Sequence, residues 1–379
     1  MKAHKMVRLF GLLIMFLAAC SPLLARDGDS PIKSGQSVTL LPDGSTLLLG
    51  GFDDAGRPST TARLQDSSGQ IQKLSSGLQT ARADHTATLL PDGAVLIFGG
   101  VNSDGQIVSA TELFDPATRS FSTLTDVLAL PRAFHTATVL TDGTVLLAGG
   151  VEAGGEFPDD VQLWDFRTHR ALSQHALLMT PRQGHTAVLL ADGAVRISGG
   201  TDHFGRPVLV DEIYDPLTRR FRFSTPDEMN AELQREAQAA LQVAESIPID
   251  GAAAVPINSF VAFRFTRILN VASVNRANFV LRGPNDSLIK TRVTPAENGR
   301  LAFVLPSAPL QPGTTYSLHI KNAADPAGDL LPETSQETAG AGVACTVRQS
   351  RSGGAADPRL PRRHRHRPFA GRVDGSHGV

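Results

Sequence analysis

His85-Thr-Ala-Thr-Leu-Leu-Pro-Asp-Gly93, with the run Ala94-Val-Leu-Ile-Phe-Gly-Gly100 behind it, decides the fold because its pattern occurs four times in the chain. The other copies are Gln36-Ser-Val-Thr-Leu-Leu-Pro-Asp-Gly44, His135-Thr-Ala-Thr-Val-Leu-Thr-Asp-Gly143 and His185-Thr-Ala-Val-Leu-Leu-Ala-Asp-Gly193. Each runs into a glycine pair: Gly50-Gly51, Gly99-Gly100, Gly149-Gly150 and Gly199-Gly200, spaced 49, 50 and 50 residues apart. A fixed period of that size marks supersecondary units stacked one on the next.

One unit can be read residue by residue. The Thr-Ala-Thr-Leu-Leu run is β-prone, and Asp-Gly supplies the positive φ that a two-residue hairpin turn needs. Val95-Leu-Ile-Phe98 is apolar on both faces, which predicts a strand buried on both sides. The glycine pair ends it where the backbone must bend or pack closely. A third strand follows in Thr111-Glu-Leu-Phe-Asp115, Val161-Gln-Leu-Trp-Asp165 and Glu212-Ile-Tyr-Asp215, with the weaker Arg63-Leu-Gln-Asp66 in the first unit. A fourth is exemplified by Arg119-Ser-Phe-Ser-Thr-Leu124. Four strands per unit in tandem read as propeller blades.

With the motif HTATLLPDGxVLxxGG, residues 34–225 resemble the kelch family in its bacterial form. The resemblance implies a β-propeller like the central domain of galactose oxidase. That family usually carries six or seven blades, so four would form a small ring, a partial ring, or a ring completed by another subunit. The fold class expected is all-β: a kelch-type propeller of four recognisable blades and an Ig-like β-sandwich, joined by one helix.

Arg82, Arg132 and Arg182 each stand three residues before His85, His135 and His185. A ring of histidines could hold a metal, but a residue that recurs in every unit is explained by the packing of the unit. These residues, with Gly99, Gly100, Gly149, Gly150, Gly199 and Gly200, are therefore read as structural. No catalytic residue, metal ligand or cofactor is expected. The connections that vary between copies are better binding candidates: residues 52–58, 101–105, 151–155 and 201–206, whose acidic and polar side chains would contact sugar or peptide.

Thr225-Pro-Asp-Glu228 is a capping box with Pro at the first helical position. Met229, Leu233, Ala237, Leu241 and Ala244 then predict a linker helix over 226–247. From 248 the texture is β again. Phe260–Phe265, Asn278–Arg282, Arg300–Leu305 and Thr315–Lys321 read as strands at sandwich spacing. Val255-Pro-Ile-Asn-Ser259, Leu310-Gln-Pro-Gly-Thr-Thr-Tyr316 and Asp325-Pro-Ala-Gly328 resemble the bacterial Ig-like domain first known from S-layer proteins. That resemblance implies a spacer or adhesive module over 248–343 without a cofactor. Tyr316 is expected to bond its hydroxyl to backbone.

Lys2, His4, Lys5 and Arg8 precede an apolar run, Leu9 to Ala19, that is too short to span a bilayer. Its end, Leu17-Ala-Ala-Cys20, resembles the lipobox of bacterial lipoproteins; the alternative is an ordinary signal peptide cut nearby, for example after Ala25. The implied arrangement is a signal peptide over 1–19, a lipid on Cys20 and a tether over 20–33. Ser21 after the Cys suggests the outer membrane in that family. At the other end, 344–379 reads as a disordered basic tail, or as the product of a frameshift. Its cluster Arg362-Arg-His-Arg-His-Arg367 could bind nucleic acid or an anionic surface.

The formal net charge of −1 gives no overall pull toward nucleic acid. A copper-radical oxidase would need paired tyrosines and a cysteine in one site, yet the chain has only Tyr214, Tyr316, Cys20 and Cys345. No Gly-x-Ser-x-Gly elbow, His-Glu-x-x-His or phosphate loop occurs. The function expected is a surface-anchored, non-catalytic scaffold for a protein or glycan partner. The alternatives are an oxidase or glycan hydrolase on a propeller, and the front part of a larger Rhs/YD-repeat-type surface protein.

Overall fold

A computed structural model describes residues 32–125, 130–249, 255–332, 334–338 and 346–349. The expected signal segment, Cys20 and the Arg–His cluster lie outside them. Each repeat is one four-stranded antiparallel sheet with its strands in chain order. Sheet one holds β1 (Gln36–Leu40), β2 (Thr46–Gly50), β3 (Ala62–Gln65) and β4 (Ile71–Lys73). Sheet two holds β5 (Thr86–Leu89), β6 (Val95–Phe98), β7 (Thr111–Asp115) and β8 (Ser120–Leu124). Sheet three holds β9 (Thr136–Val139), β10 (Thr144–Ala148), β11 (Asp160–Asp165) and β12 (Arg170–Leu177). Sheet four holds β13 (Thr186–Leu189), β14 (Val195–Ser198), β15 (Glu212–Asp215) and β16 (Arg220–Phe223).

The turn that joins the first two strands differs from the two-residue hairpin expected. Leu41 N–H donates to the Ser45 carbonyl and Gly44 N–H to the Leu41 carbonyl. Pro42-Asp43-Gly44 is thus a three-residue loop in which only the glycine is left-handed, at φ 84°. The aspartate serves as an acceptor: Ser45 N–H donates to Asp43 Oδ1 at 2.9 Å.

The second strands of sheets two and three are buried on both sides. Alternate side chains point opposite ways, so each second strand feeds two interfaces. Leu47 and Leu49 share a core with Val95 and Ile97 of sheet two. Leu96 and Phe98 join Val145 and Leu147, and Leu146 and Ala148 join Val195 and Ile197, in a larger core. Each Leu, Ile, Val or Phe among them contributes about 1.5–3 kcal/mol on burial. In sheet four the outward positions hold Arg196 and Ser198 instead, so its far face is polar. Among the described residues the four sheets do not close into a ring.

Helix α1 (Pro226–Gln238) stands at that polar face. Its capping box forms as the sequence predicts, and Glu228 also accepts from Arg222 at 3.0 Å. The helix ends at Gln238 rather than near 247. The apolar spacing that suggested a longer helix is taken over by β-structure: Leu241 is buried in the sandwich core, and β17 (Val243–Ile247) is a strand.

The sandwich has two antiparallel sheets. One holds β17, β18 (Val261–Phe265), β21 (Leu301–Pro306) and β20 (Thr291–Ala296); the other holds β19 (Phe279–Arg282), β22 (Tyr316–Ile320), β23 (Thr334–Thr338) and β24 (Thr346–Gln349). Strands β17, β20 and β23 escape a reading by apolar runs because polar residues interrupt them. β24 also corrects the tail expected from residue 344: Thr346–Gln349 pairs with β23 and continues the sheet. Strand β18 is buried throughout. Val261, Phe263 and Phe265 face the sandwich core, while Phe260 and Ala262 join the core of the repeats. Tyr316 is buried and its hydroxyl accepts from Gln311 N–H at 2.8 Å, as predicted.

Candidate ligand-binding face

The recurring polar residues form an internal network. Arg82 is fully buried and pairs with Glu112 at 2.6 Å. Glu112 also accepts from the N–H groups of Gln79 (2.7 Å) and Thr80 (3.1 Å), and Arg82 donates to the Gly99 carbonyl at 3.1 Å. Arg182 repeats the arrangement with Glu212 at 2.6 Å. In the third unit Gln162 stands where the glutamate would be, and Arg132 pairs with Glu152 at 3.1 Å and Asp160 at 3.3 Å.

The histidines join consecutive units. Nε2 of His85, His135 and His185 meets the hydroxyls of Ser37, Thr86 and Thr136, each at 2.9 Å. The series stops at sheet four, where Thr186 Oγ1 turns to the Ser198 carbonyl. Burial, and after it the adjacent guanidinium, pushes His85 and His185 down to about 3, and His135 well below the usual range. All three imidazoles are therefore neutral. The glycines make room for the next unit: a Cβ on Gly50, Gly99 or Gly149 would lie 2.4, 1.9 or 2.5 Å from the carbonyl oxygen of Arg82, Arg132 or Arg182. At Gly199 a Cβ would meet nothing. The residues before the histidines form a backbone collar. Asp84 N–H donates to the Gly35 carbonyl, Phe134 to Asp84 and Gly184 to Phe134, at 2.8–3.1 Å. All four residues are left-handed.

The two ends of the sheets differ sharply. At the Asp-Gly end the Ig-like sheet covers the turns of units two to four. Arg292 donates to the Asp92 carbonyl. The Phe260 ring would lie 3.1 Å from a Cβ on Gly143 and meets Phe166 edge-on at 5.6 Å. Arg264 lies against Gly193 and donates to Thr141 Oγ1 at 3.2 Å.

By antiparallel topology the varying loops lie at the other end. Their acids and amides are mostly occupied. Asp53 Oδ1 accepts from the N–H groups of Ala55 and Arg57, Asn102 Oδ1 from Asp104 and Gln106, and Asp202 Oδ1 from Phe204 and Arg206. Glu152 turns inward to Arg132. The expected polar contact set is thus committed to shaping the loops. What stands out is Phe204, 68 % exposed, where the other units have Ala55, Asp104 and Gly154. Its ring has His203 at 3.7 Å and the Arg206 guanidinium at 4.6 Å, and Asp202 holds that guanidinium at 2.8 Å. Leu209, Val210 and Met179 of the same unit are also exposed. Unit two has Ser109, Ala110 and Gln79 there. Aligning the loops position by position, instead of reading their acids, would have found this platform. Among the described residues no three His, Cys, Asp or Glu side chains group to hold a metal ion.

Residues 237–338 match the family model of a bacterial Ig-like domain. No curated protein matches the chain. Among solved structures the chain is similar to a novel fungal alcohol oxidase with catalytic diversity among the AA5 family, in complex with copper. Identity is 12 %, coverage is 79 % of this chain and 84 % of that one, and the TM-score is 0.37. A likeness that distant says nothing of function.

Proposed function

We propose that this chain is a non-catalytic binding scaffold of the bacterial cell envelope, with kelch-type blades as its body, the Ig-like domain as a cover on one face and a lipid on Cys20 as its anchor. The observation that carries the reading is the division of the two faces. The Asp-Gly end is occupied by Arg264, Arg292 and Phe260, while the loop end presents Phe204 beside Arg206. An exposed aromatic with a guanidinium fork suits the surface of a protein or a glycan. Rigid sheets that carry one distinctive loop are a common design for recognition.

Bacterial Ig-like domains are typical of surface or exported proteins, which agrees with the signal segment. An oxidase or hydrolase has less support. Tyr214 is fully buried in β15, and Tyr316 is spent on a backbone bond in the sandwich. The role is the same if this chain is the front of a larger Rhs/YD-repeat-type protein.

The test is to probe glycan and peptide arrays with the purified mature protein and with Phe204→Ala. Signals that the substitution abolishes support the reading. Blank arrays, or stoichiometric copper with peroxide formed from alcohols, overturn it. Radiolabelled palmitate should enter the wild type and not Cys20→Ala.

A further inference from the structure

We infer that Asp84 and Phe134 of the backbone collar hold the ammonium group of a lysine side chain from a protein partner. The choice of a protein rests on the reading of the loop end as a recognition face. The cation site itself stands on the collar.

The collar repeats one backbone bond but not one residue. Gly35 and Gly184 occupy its two ends, at φ 67° and 63°, a region that favours glycine. Between them stand Asp84 at φ 56° and Phe134 at φ 57°. A left-handed phenylalanine is a genuine outlier, and such outliers gather at functional sites. Neither residue repays its conformation locally. Phe134 is 38 % exposed, and its ring meets no other ring among the described residues. The half-buried Asp84 carboxyl has no hydrogen bond or ion pair among them.

The two residues share one conformation at equivalent positions of the repeat, and Phe134 N–H donates to the Asp84 carbonyl at 3.1 Å. Their side chains therefore leave neighbouring points of the collar in the same sense. Beyond Phe134 the space is open, since a Cβ on Gly184 would meet nothing within 4 Å. Gln183, next to it, exchanges backbone bonds with Thr201, where the loop that carries Phe204 begins.

An unpaired carboxyl beside an exposed ring suits an organic cation. The surrounding elements supply none. Lys33 pairs with Asp54, Arg57 with Asp53 and Arg206 with Asp202, while Arg82, Arg132 and Arg182 turn inward to their own acids. The carbonyls of Gly35, Asp84 and Phe134 already accept the collar bonds. A guanidinium fork would leave most of its donors unpaired there, whereas the point charge of an ammonium needs only the carboxyl. The exposed Leu209, Val210 and Met179 at the same end suit the apolar surface of a protein better than a sugar.

Nuclear magnetic resonance of the full chain with isotope-labelled phenylalanine rings tests the site, the Phe134 signal being identified with Phe134→Leu. Nα-acetyl-lysine methylamide should move that signal saturably, and the uncharged Nα-acetyl-norleucine methylamide should not. Asp84→Asn should weaken the lysine titration about tenfold, while Phe204→Ala leaves it unchanged. An unmoved signal, an equal response to the norleucine compound, or an Asp84→Asn titration like that of the wild type overturns the inference. So does a response to glucosamine in place of the lysine compound. Blank arrays beside an intact lysine titration count against the Phe204 platform and not against this site.

Discussion

Replacing Glu112 by Gln should be severely destabilising, although the third unit carries Gln162 at the same position without harm. The difference lies in what surrounds each amide. Glu112 balances a fully buried guanidinium at 2.6 Å and accepts two backbone N–H groups. A glutamine keeps one acceptor oxygen, turns its amide toward donors and leaves Arg82 as an uncompensated buried charge. Removing one partner of such a pair costs about 3–5 kcal/mol. At about 2 cal/mol/K per ordered residue, that lowers the melting temperature by roughly 6 °C.

In the third unit the charge is instead supplied by Glu152 and Asp160, and Gln162 Nε2 donates to Asp160 Oδ2 at 3.3 Å. The equivalent positions in unit two are Asn102 and Ala110. Adding Asn102→Glu and Ala110→Asp to Glu112→Gln should therefore recover more than half of the loss. Thermal and urea unfolding of the three proteins give the comparison. A melting temperature for Glu112→Gln within about 1 °C of wild type would refute the buried-charge reasoning. No recovery in the triple variant would refute the equivalence of the two arrangements.

Asp84→Gly should raise stability by about 1 kcal/mol, because Asp84 is left-handed at φ 56° and burial pushes its carboxyl up to about 6; chemical denaturation at pH 7.5 would show it. Gly99→Ala should cost several kcal/mol, since its Cβ would stand 1.9 Å from the Arg132 carbonyl oxygen at φ 66°, whereas Gly199→Ala pays only for its backbone; soluble yield and melting temperature separate them. The depressed histidines make stability full above about pH 6.5 and falling as the pH drops toward about 3, by about 1.4 kcal/mol per pH unit for each histidine. Replacing His135 by Gln should flatten the slope of urea midpoint against pH between 4 and 6.

The repeat, its four strands per unit and the helix start were legible because each rests on local signals: a period, an Asp-Gly turn and a capping box. Positions that depend on distant partners were not. The role of His85 is completed by Ser37 of the preceding unit, and nothing in the His-Thr-Ala motif specifies that hydroxyl. Arg264 and Phe260 read as ordinary strand residues, and Arg292 lies in no expected strand, until the fold brings all three to turns that precede them by more than 70 residues. Phe204 stands in a loop whose acids look like the contact residues, yet those acids are what the loop uses to hold its own shape. The helix is shorter than its apolar spacing suggests because Leu241 and Ala244 keep that spacing by coincidence while Leu241 belongs to the sandwich.

Arg196 and Ser198 give the fourth unit a meaning beyond its own stability. Sheets that stack face to face could in principle polymerise, each chain offering its last face to the first face of another. Two polar substitutions, with α1 beside them, turn that last face into a dead end. The same two residues constrain how such a gene can lengthen. A duplicated copy of unit two or three finds matching apolar partners if inserted inside the array, but none if added after the fourth. The last unit is thus the one that recombination must leave in place while the number of units ahead of it is free to change.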